Sequence, residues 1–408
     1  METANEVNDK GISVKDGRIM NWAFGLGALL CLAWKAIGVV KVVGERSSNE
    51  GIYLTTWLVD YSQGYVRRGL CGQIVRFLHE TLGVEPQWTI LACSVALYGV
   101  LVVLCFAVFR RRGWCWWPIM LTVCLGGLSA LNRDALVLLT CMVCYWVAGR
   151  VRGVFARYLL LNVLVVTLVN VHEIGFFLVF PFLSILCMGD VDAKLPVFVR
   201  PTLLLPSCMA FFLVATFRGN EDMASKMVAG WRPILPAWWD GVTGFHGVHS
   251  DIGSTGGSLL AKMVEIWGGE WHGVPNAAYM LLAVVAFYAI ASTLPFKAQH
   301  VREKAITRVL LLVQMAALSV VFPFYNDYAR LFGFCAMSTL ACVALVPFEK
   351  WQVVARELSR AFGGVWHYAE AAWVKVAARK WLPARFVAIC ALFVGVQPIY
   401  FDIPTSVM

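Results

Sequence analysis

The chain has 408 residues, of which 60% are hydrophobic and only 14% charged, and its mean hydropathy is +0.70. This composition is too apolar for a soluble domain and is typical of a polytopic membrane protein. The formal net charge of +9 does not indicate nucleic acid as a partner, because membrane insertion itself places basic residues on one side of the bilayer.

Apolar runs of membrane-spanning length recur along the whole chain. They predict an all-α fold, a single transmembrane domain over residues 1–408 with about eleven spans. The polar start of the chain shows no convincing signal-peptide cleavage pattern, so the first helix is predicted to be a retained anchor. The predicted spans are residues 20–43, 88–109, 114–131, 135–149, 158–171, 174–188, 198–217, 274–294, 308–324, 331–347 and 386–402.

Lysine and arginine in the short connections predict the orientation. With eleven spans, every strongly basic connection lies on one side, which is therefore assigned to the cytoplasm together with the amino terminus. The last of these connections, residues 349–385, is predicted to form basic amphipathic helices on the inner leaflet. The other basic connections are residues 110–112, 150–157, 194–200 and 297–308.

Polar residues interrupt three apolar hairpins, and in this topology all three interruptions face outward. Residues 158–188 show why each apolar stretch is predicted to form two helices. A single helix would overshoot a hydrocarbon core of about 30 Å and leave a charged glutamate near its middle. Two short helices meeting at 172–173 avoid both problems. The interrupting residues that carry chemistry are Arg133, Asp134, His172, Glu173, Asp327, Tyr328 and Arg330.

The first long outer loop, residues 44–87, contains the stretch VDYSQGYVRRGLCG at 59–72. The segment after it has the periodicity of an amphipathic interfacial helix. Arg67 and Arg68 at the start of that helix can bind a lipid phosphate, or they can simply contact bulk phospholipid headgroups. Asp60 can be a general base or a metal ligand, and it can equally be a helix cap or the salt-bridge partner of Arg67.

The interrupting residues and the first loop together predict an outward-open polar cavity with both signs of charge. For each residue alone, a buried ion pair that locks two helix ends is an equally good interpretation. As a set they favour function, because intramembrane ionisable residues are costly and mark sites or pathways. A second outer loop, residues 218–273, can close over the cavity and contributes His249 as a weak acid/base or metal candidate.

With these features the chain resembles the membrane glycosyltransferases that use polyprenyl-linked donors. The features shared with the C-type superfamily are the long first outer loop with interfacial helices and an early acid, Asp60. The features shared with the Wzy-type O-antigen and capsule polymerases are the number of spans, the large late outer loop and the outward arginines. The segment GYVRRGL also resembles one found in membrane proteins of polysaccharide gene clusters.

The resemblance implies glycosyl transfer on the periplasmic face of the bacterial inner membrane, in surface-polysaccharide synthesis. It implies a polyprenyl-(pyro)phosphate donor bound by Arg67 and Arg68, a glycan acceptor, and membrane lipids as surroundings. It also implies a carboxylate as general base, with Asp60 first and Glu173 or Asp327 next. No cofactor is required and no metal site is assigned, although the acids are compatible with a divalent metal.

A transporter or flippase for a lipid-linked or anionic substrate is the alternative function, because it would use the same arginines to bind phosphate. Alternating access would also require polar groups deep within the spans and matched broken helices in two halves. The sequence shows few such groups and no convincing twofold pattern. A purely structural subunit, the third class, would need no clustered charges.

Overall fold

The computed structural model describes residues 51–111, 130–217, 219–237 and 328–362, together with a short helical piece at 35–41 and isolated positions elsewhere. All regular elements in these segments are helical, which confirms the predicted all-α class for the described part of the chain. The predicted spans at 114–131, 274–294 and 386–402 lie outside the described residues or nearly so. The same holds for most of the spans at 20–43 and 308–324.

The amino-terminal part of the described chain consists of a polar loop between short helices, followed by a long apolar helix. Helix α1 (Gly51–Thr55) continues into a 3-10 turn (Thr56–Leu58), and the loop 59–68 leads into α2 (Gly69–Leu82). Helix α3 (Pro86–Arg111) begins after a short connection. The predicted amphipathic helix after Arg68 is thus present as α2.

Three antiparallel helices follow, joined by very short connections. They are α4 (Asp134–Arg150), α5 (Val154–Val171) and α6 (Ile174–Met188). The predicted break at 172–173 is confirmed, since α5 ends at Val171 and α6 begins at Ile174. Because α4 and α5 run in opposite directions, the start of α4 and the α5–α6 connection lie at the same end of the bundle.

The remaining described helices lie in two bent pairs. A 3-10 turn (Arg200–Leu204) leads into α7 (Leu205–Thr216), and α8 (Glu221–Trp231) follows with its first turn capped by Asn220. Helix α9 (Tyr328–Leu345) is followed by α10 (Phe348–Phe362), with a bend of 99° between residues 333–345 and 348–361.

Two of these helices are long and apolar enough to cross a membrane, over Pro86–Val108 and Val154–Val171. The number in the described residues rises to four if each bent pair is one span, and α6 is a shorter apolar helix. These helices support a membrane protein. Eleven spans and the cytoplasmic amino terminus stay predictions.

Helix α4 lies at the centre of the described bundle and packs against α3, α5, α6 and α9. A buried polar contact joins three of these helices: the Tyr145 hydroxyl donates to the carbonyl oxygen of Leu178 at 2.9 Å and lies 2.5 Å from Ser338 Oγ. Such interhelical hydrogen bonds hold apolar helices together where the hydrophobic effect is weak.

The other end of the bundle is closed by α10. Its Trp351, Val354 and Leu358 are buried, and Arg200 donates to Glu357 at 3.1 Å. Gly189 allows this close packing, because a Cβ there would lie 2.8 Å from the Cα of Val354. The amphipathic helix predicted for the start of residues 349–385 is present, with its apolar side against protein. Membrane contact for the rest of that segment stays a prediction.

The packing of α2 against the preceding loop gives a testable prediction at Gly72. A Cβ at this position would lie 2.1 Å from the carbonyl oxygen of Val59, which also accepts the Gly72 backbone hydrogen bond at 3.1 Å. Because only backbone can move to relieve this contact, Gly72→Ala should lower the free energy of unfolding by about 2 kcal/mol. Thermal unfolding of the detergent-solubilised protein measures the loss.

Gly99→Ala in α3 is the matched control, because within the described part of the chain no neighbouring group outside the local helix backbone lies within 4 Å of a Cβ at Gly99. Its greater helix propensity should leave the melting temperature equal or slightly raised. Equal melting temperatures for the two variants would contradict the close approach of α2 to residue 59.

Candidate functional site

The candidate site is built on the loop 59–68, which folds back on itself before α2. The backbone N–H of Gly64 donates to the carbonyl oxygen of Tyr61 at 3.1 Å, and the N–H of Arg67 donates to Phe217 at the end of α7 at 3.1 Å. Arg68 occupies the left-handed region with φ 63°, which is unusual for a residue other than glycine. These hydrogen bonds hold the loop against the end of α7, and two adjacent arginines form its last two residues before α2.

Arg68 makes a two-point ion pair with Glu173 in the connection between α5 and α6. Its Nε donates to Glu173 Oε2 at 2.7 Å and its Nη2 donates to Oε1. Arg67 Nη1 lies 3.5 Å from the same carboxylate, and the side chains of Arg67, Arg68 and Glu173 are 15%, 14% and 22% exposed. The group is thus neither fully buried nor free in solvent.

His172 lies beneath this group and is buried. Its Nδ1 accepts a hydrogen bond from the Ile174 backbone at 3.3 Å and lies 3.6 Å from Glu173 Oε2. Burial and the positive charge of Arg68 hold the pKa of His172 well below its ordinary value. The imidazole is therefore neutral at physiological pH.

The pKa of Glu173 depends on two opposing effects. Burial raises it, but the attraction of Arg68 and Arg67 outweighs burial and holds the pKa well below the ordinary value of 4.5. Glu173 is thus a carboxylate in this arrangement, and it becomes a stronger base only if the arginines are drawn away from it.

Arg133 supports the loop from the start of α4. It is 1% exposed, and its Nη1 donates to the carbonyl oxygen of the left-handed Arg68 at 3.1 Å. Arg133 and Arg330 both lie near enough to His172 to contribute to its lowered pKa. Sequence-predicted residues from three distant segments are therefore neighbours in the fold.

Asp134 and Arg330 form a second two-point ion pair. Arg330 Nε donates to Asp134 Oδ2 at 2.9 Å and Nη2 donates to Oδ1 at 2.6 Å, with Asp134 fully buried. The pair joins the starts of α4 and α9. For Asp134 and Arg330 this geometry agrees with a structural ion pair that locks two helix ends, which the sequence offered as the alternative to a functional role.

Asp60 lies in a separate buried ion pair. Its Oδ1 accepts from the backbone of Ser62 at 2.8 Å, its Oδ2 accepts from Arg76 Nε at 2.8 Å, and its side chain is inaccessible to solvent. The Arg76 guanidinium also lies 4.6 Å from the centre of the Trp231 ring. Asp60 thus has a salt-bridge partner, but this partner is Arg76 in α2 and not Arg67. A role for Asp60 as general base stays a prediction.

The remaining predicted site residues contribute no described contact with the arginines. His249 Nδ1 lies 2.5 Å from Glu221 Oε1 at the start of α8. Asp327 and the Tyr328 side chain lie outside the described residues. In the segments that the structure describes, no three His, Cys, Asp or Glu side chains converge as metal ligands would.

Three residues that the sequence interpretation did not select lie beside this group. Tyr61 and Tyr65 stack with ring centres 5.5 Å apart, and both hydroxyls donate to Asn170 Oδ1, at 3.1 and 2.9 Å. Two sequence features could have indicated these residues: Asn170 lies within an otherwise apolar run, and the two tyrosines lie in the same loop as the arginines. Tyrosines near a membrane surface are ordinarily interfacial anchors, which is why this signal is weak.

The arrangement is suited to binding an anion. Arg67, Arg68, Arg133 and Arg330 face two carboxylates, Glu173 and Asp134, so the described group carries an excess of positive charge. Guanidinium groups bind phosphate through paired hydrogen bonds. An entering phosphate would compete with Glu173 for Arg68, because both present two acceptor oxygens to the same fork.

Breaking the Asp60 pair should cost stability. Asp60→Asn removes the charge that Arg76 faces in a largely buried setting, so we expect a loss of about 3 kcal/mol in the free energy of unfolding. Asp60→Asn combined with Arg76→Gln should recover part of the loss, because no unpaired charge then remains. Thermal unfolding of the three proteins measures this coupling; equal melting temperatures for wild type and Asp60→Asn would contradict the structural role.

The lowered pKa of Glu173 predicts how its pair depends on pH. A carboxylate whose pKa falls on folding stabilises the fold above its unfolded pKa, and this contribution disappears as the pH falls through the folded pKa. The melting-temperature difference between wild type and Glu173→Gln should therefore stay constant from about pH 8 to about pH 5. It should shrink only below pH 4.5. A change near neutral pH would contradict the depressed pKa.

Comparisons with family models, with curated proteins and with solved structures find no match to this chain. The chemistry of the site is therefore inferred from its own residues.

Proposed function

We propose that this protein is a membrane glycosyltransferase or polymerase that takes a sugar or oligosaccharide from a polyprenyl-(pyro)phosphate donor. The observation that carries the proposal is the partly exposed group of Arg67, Arg68 and Glu173 at one end of an apolar helix bundle. It combines phosphate-binding groups with a carboxylate that can accept a proton. The proposed location is the periplasmic side of a bacterial inner membrane, and the product is a surface polysaccharide.

Phosphate binding is supported by the positions and exposure of the arginines. Arg67 and Arg68 are 15% and 14% exposed, so a ligand can reach them while most of their hydration is already removed. Arg133 holds the Arg68 backbone and adds positive charge beneath the site. Hydrogen bonds between charged partners are strongest in such partly desolvated surroundings.

Glu173 is the best placed general base among the acids that the structure describes. Asp60 and Asp134 are fully buried against Arg76 and Arg330, whereas Glu173 is 22% exposed. When a donor phosphate takes over Arg68, the pKa of Glu173 should rise toward its ordinary value, because the lowering charge is then shared with the ligand. Donor binding would thereby prepare the base.

The reaction that follows is a single displacement at the anomeric carbon. The acceptor hydroxyl oxygen forms a bond to that carbon while the bond from the carbon to the donor phosphate oxygen breaks. The hydroxyl proton passes to Glu173, and the negative charge on the leaving phosphate is stabilised by Arg67 and Arg68. Attack opposite the leaving group inverts the configuration of the sugar.

The end of the bundle that carries this group supports action on the outer surface. The group lies at the start of α4 and the end of α5, whereas Arg150, Arg152 and Arg157 lie at the opposite ends of these helices. Short basic connections are retained in the cytoplasm during insertion. A lipid phosphate in the outer headgroup layer would then meet the arginines directly.

The proposal can be tested with Arg68→Asn and Glu173→Gln. Asparagine tolerates the left-handed backbone of residue 68 but removes the guanidinium, so Arg68→Asn should weaken binding of dodecyl phosphate to the protein in nanodiscs about tenfold or more. Glu173→Gln should bind dodecyl phosphate at least as tightly as wild type. It should nevertheless reduce glycan transfer about 100-fold or more.

Transfer is measured by complementation in the native strain, with surface polysaccharide and lipid-linked precursor followed together. Lys226→Asn is the matched control, because Lys226 is an exposed cation that pairs with Asp222 at 2.6 Å in α8. Precursor accumulating on the outer leaflet in Glu173→Gln supports transfer on that face. Precursor accumulating on the inner leaflet would replace the proposal with a flippase, and unchanged glycans would overturn it.

A further inference from the structure

We propose that Tyr61, Tyr65 and Asn170 form a sugar-binding platform beside the phosphate-binding arginines. This inference rests on the proposed function and names the part of the ligand that the arginines cannot recognise. None of the three residues is charged, and none takes part in the Arg68 and Glu173 ion pair.

The platform is fixed to the arginine loop by close packing. A Cβ at Gly69, the residue after Arg68, would lie 2.3 Å from Tyr61 Cε1, so the Tyr61 ring lies directly on the glycine backbone. Tyr65 stacks on Tyr61 with an angle of 10° between the ring planes. Phe217, whose carbonyl oxygen accepts the Arg67 N–H, meets Tyr65 edge to face with ring centres 6.0 Å apart.

The outer part of this stack is accessible, because Tyr65 is 45% exposed. A half-exposed aromatic ring held by a second ring offers a flat apolar surface of fixed orientation. Such a surface is complementary to the C–H face of a sugar ring. An aliphatic ligand would fit it equally well, so the polar edge of the platform decides between them.

The polar edge consists of two phenol groups that share one acceptor. Both hydroxyls donate to Asn170 Oδ1, and the Asn170 amide donates to the carbonyl oxygen of Val166 at 2.9 Å. Since each phenol proton is directed at Asn170, the phenol oxygens can act toward a ligand as hydrogen-bond acceptors. Their ligand must therefore donate, as the hydroxyl groups of a sugar do.

The platform and the phosphate site are contiguous along two chain segments. Asn170 lies three residues before Glu173, and Tyr65 lies two residues before Arg67. A ligand with a phosphate on Arg67 and Arg68 would thus place its adjoining group at the tyrosines. The ligand class that combines a phosphate with a ring of hydroxyl donors is a sugar phosphate, free or lipid-linked.

The simpler interpretation of the two tyrosines is an anchor in the lipid headgroups, which is common at membrane surfaces. An anchor needs water or lipid at its hydroxyl and does not require two phenols to converge on one amide, as Tyr61 and Tyr65 do on Asn170. Trp88, near the start of α3, is 54% exposed and provides a matched aromatic control outside the platform.

The experiment is saturation-transfer NMR on the full chain in phosphatidylcholine nanodiscs. The probes are glucose 1-phosphate, galactose 1-phosphate, N-acetylglucosamine 1-phosphate and inorganic phosphate, with dodecyl phosphate as a separate probe of the arginine site. We expect ring protons of at least one sugar phosphate to receive saturation, and this probe to bind about tenfold more tightly than inorganic phosphate.

Tyr65→Leu should weaken binding of that sugar phosphate about tenfold, because the stacking surface is lost. Tyr65→Phe should keep the transfer to the ring face and lose only part of the affinity. Trp88→Leu should change neither. Dodecyl phosphate should still bind to Tyr65→Leu, which shows that the variant is folded and the arginine site intact.

The two proposals fail in different ways. Sugar phosphates that bind no better than inorganic phosphate, or a Tyr65→Leu variant that binds them as wild type does, would overturn the platform and leave the arginine site in place. Dodecyl phosphate binding that is absent, or that survives Arg68→Asn unchanged, would overturn the proposed function and the platform with it.

Discussion

The ion pair between Arg68 and Glu173 is the interaction on which the arrangement of this end of the protein depends. It joins the loop 59–68 to the α5–α6 connection through a two-point contact. Neither partner is fully withdrawn from solvent, so the pair can exchange partners without exposing a deeply buried charge. The same contact therefore stabilises this end of the protein and, under the proposed function, would give way to a ligand anion.

The other ion pairs at this end differ in their burial and hence in what they can do. Asp60 and Asp134 are inaccessible to solvent and face Arg76 and Arg330. Removing either partner leaves a charge in a setting of low polarity, which is costly. The first pair joins the middle of α2 to the loop before it, and the second joins the starts of α4 and α9. The two buried pairs are thus structural, whereas the partly exposed Arg68–Glu173 pair is the candidate site.

The sequence predicted the parts of this structure that follow from membrane thickness and local periodicity. The break at His172 and Glu173 follows from the cost of a charge in the middle of a span, and α2 follows from its apolar periodicity. The partner of Asp60 was not predictable, because Arg76 comes near it only when α2 folds back on residue 59. The sequence did not predict the cluster of Tyr61, Tyr65 and Asn170. These residues are related only by two hydrogen bonds to one acceptor, Asn170 Oδ1, and no sequence spacing indicates such a contact.

The left-handed residue of this turn is Arg68, although the next residue in the chain is a glycine. A residue other than glycine loses about 1 kcal/mol in this region, and Gly69 could adopt it at no cost. Here Gly69 is needed for contact with the Tyr61 ring, so the turn falls one residue earlier. The Arg133 hydrogen bond to the Arg68 carbonyl oxygen offsets part of the strain. This turn places the Arg68 side chain against Glu173 and the Tyr61 ring against Gly69, so the proposed phosphate site and the proposed sugar platform would depend on the same turn.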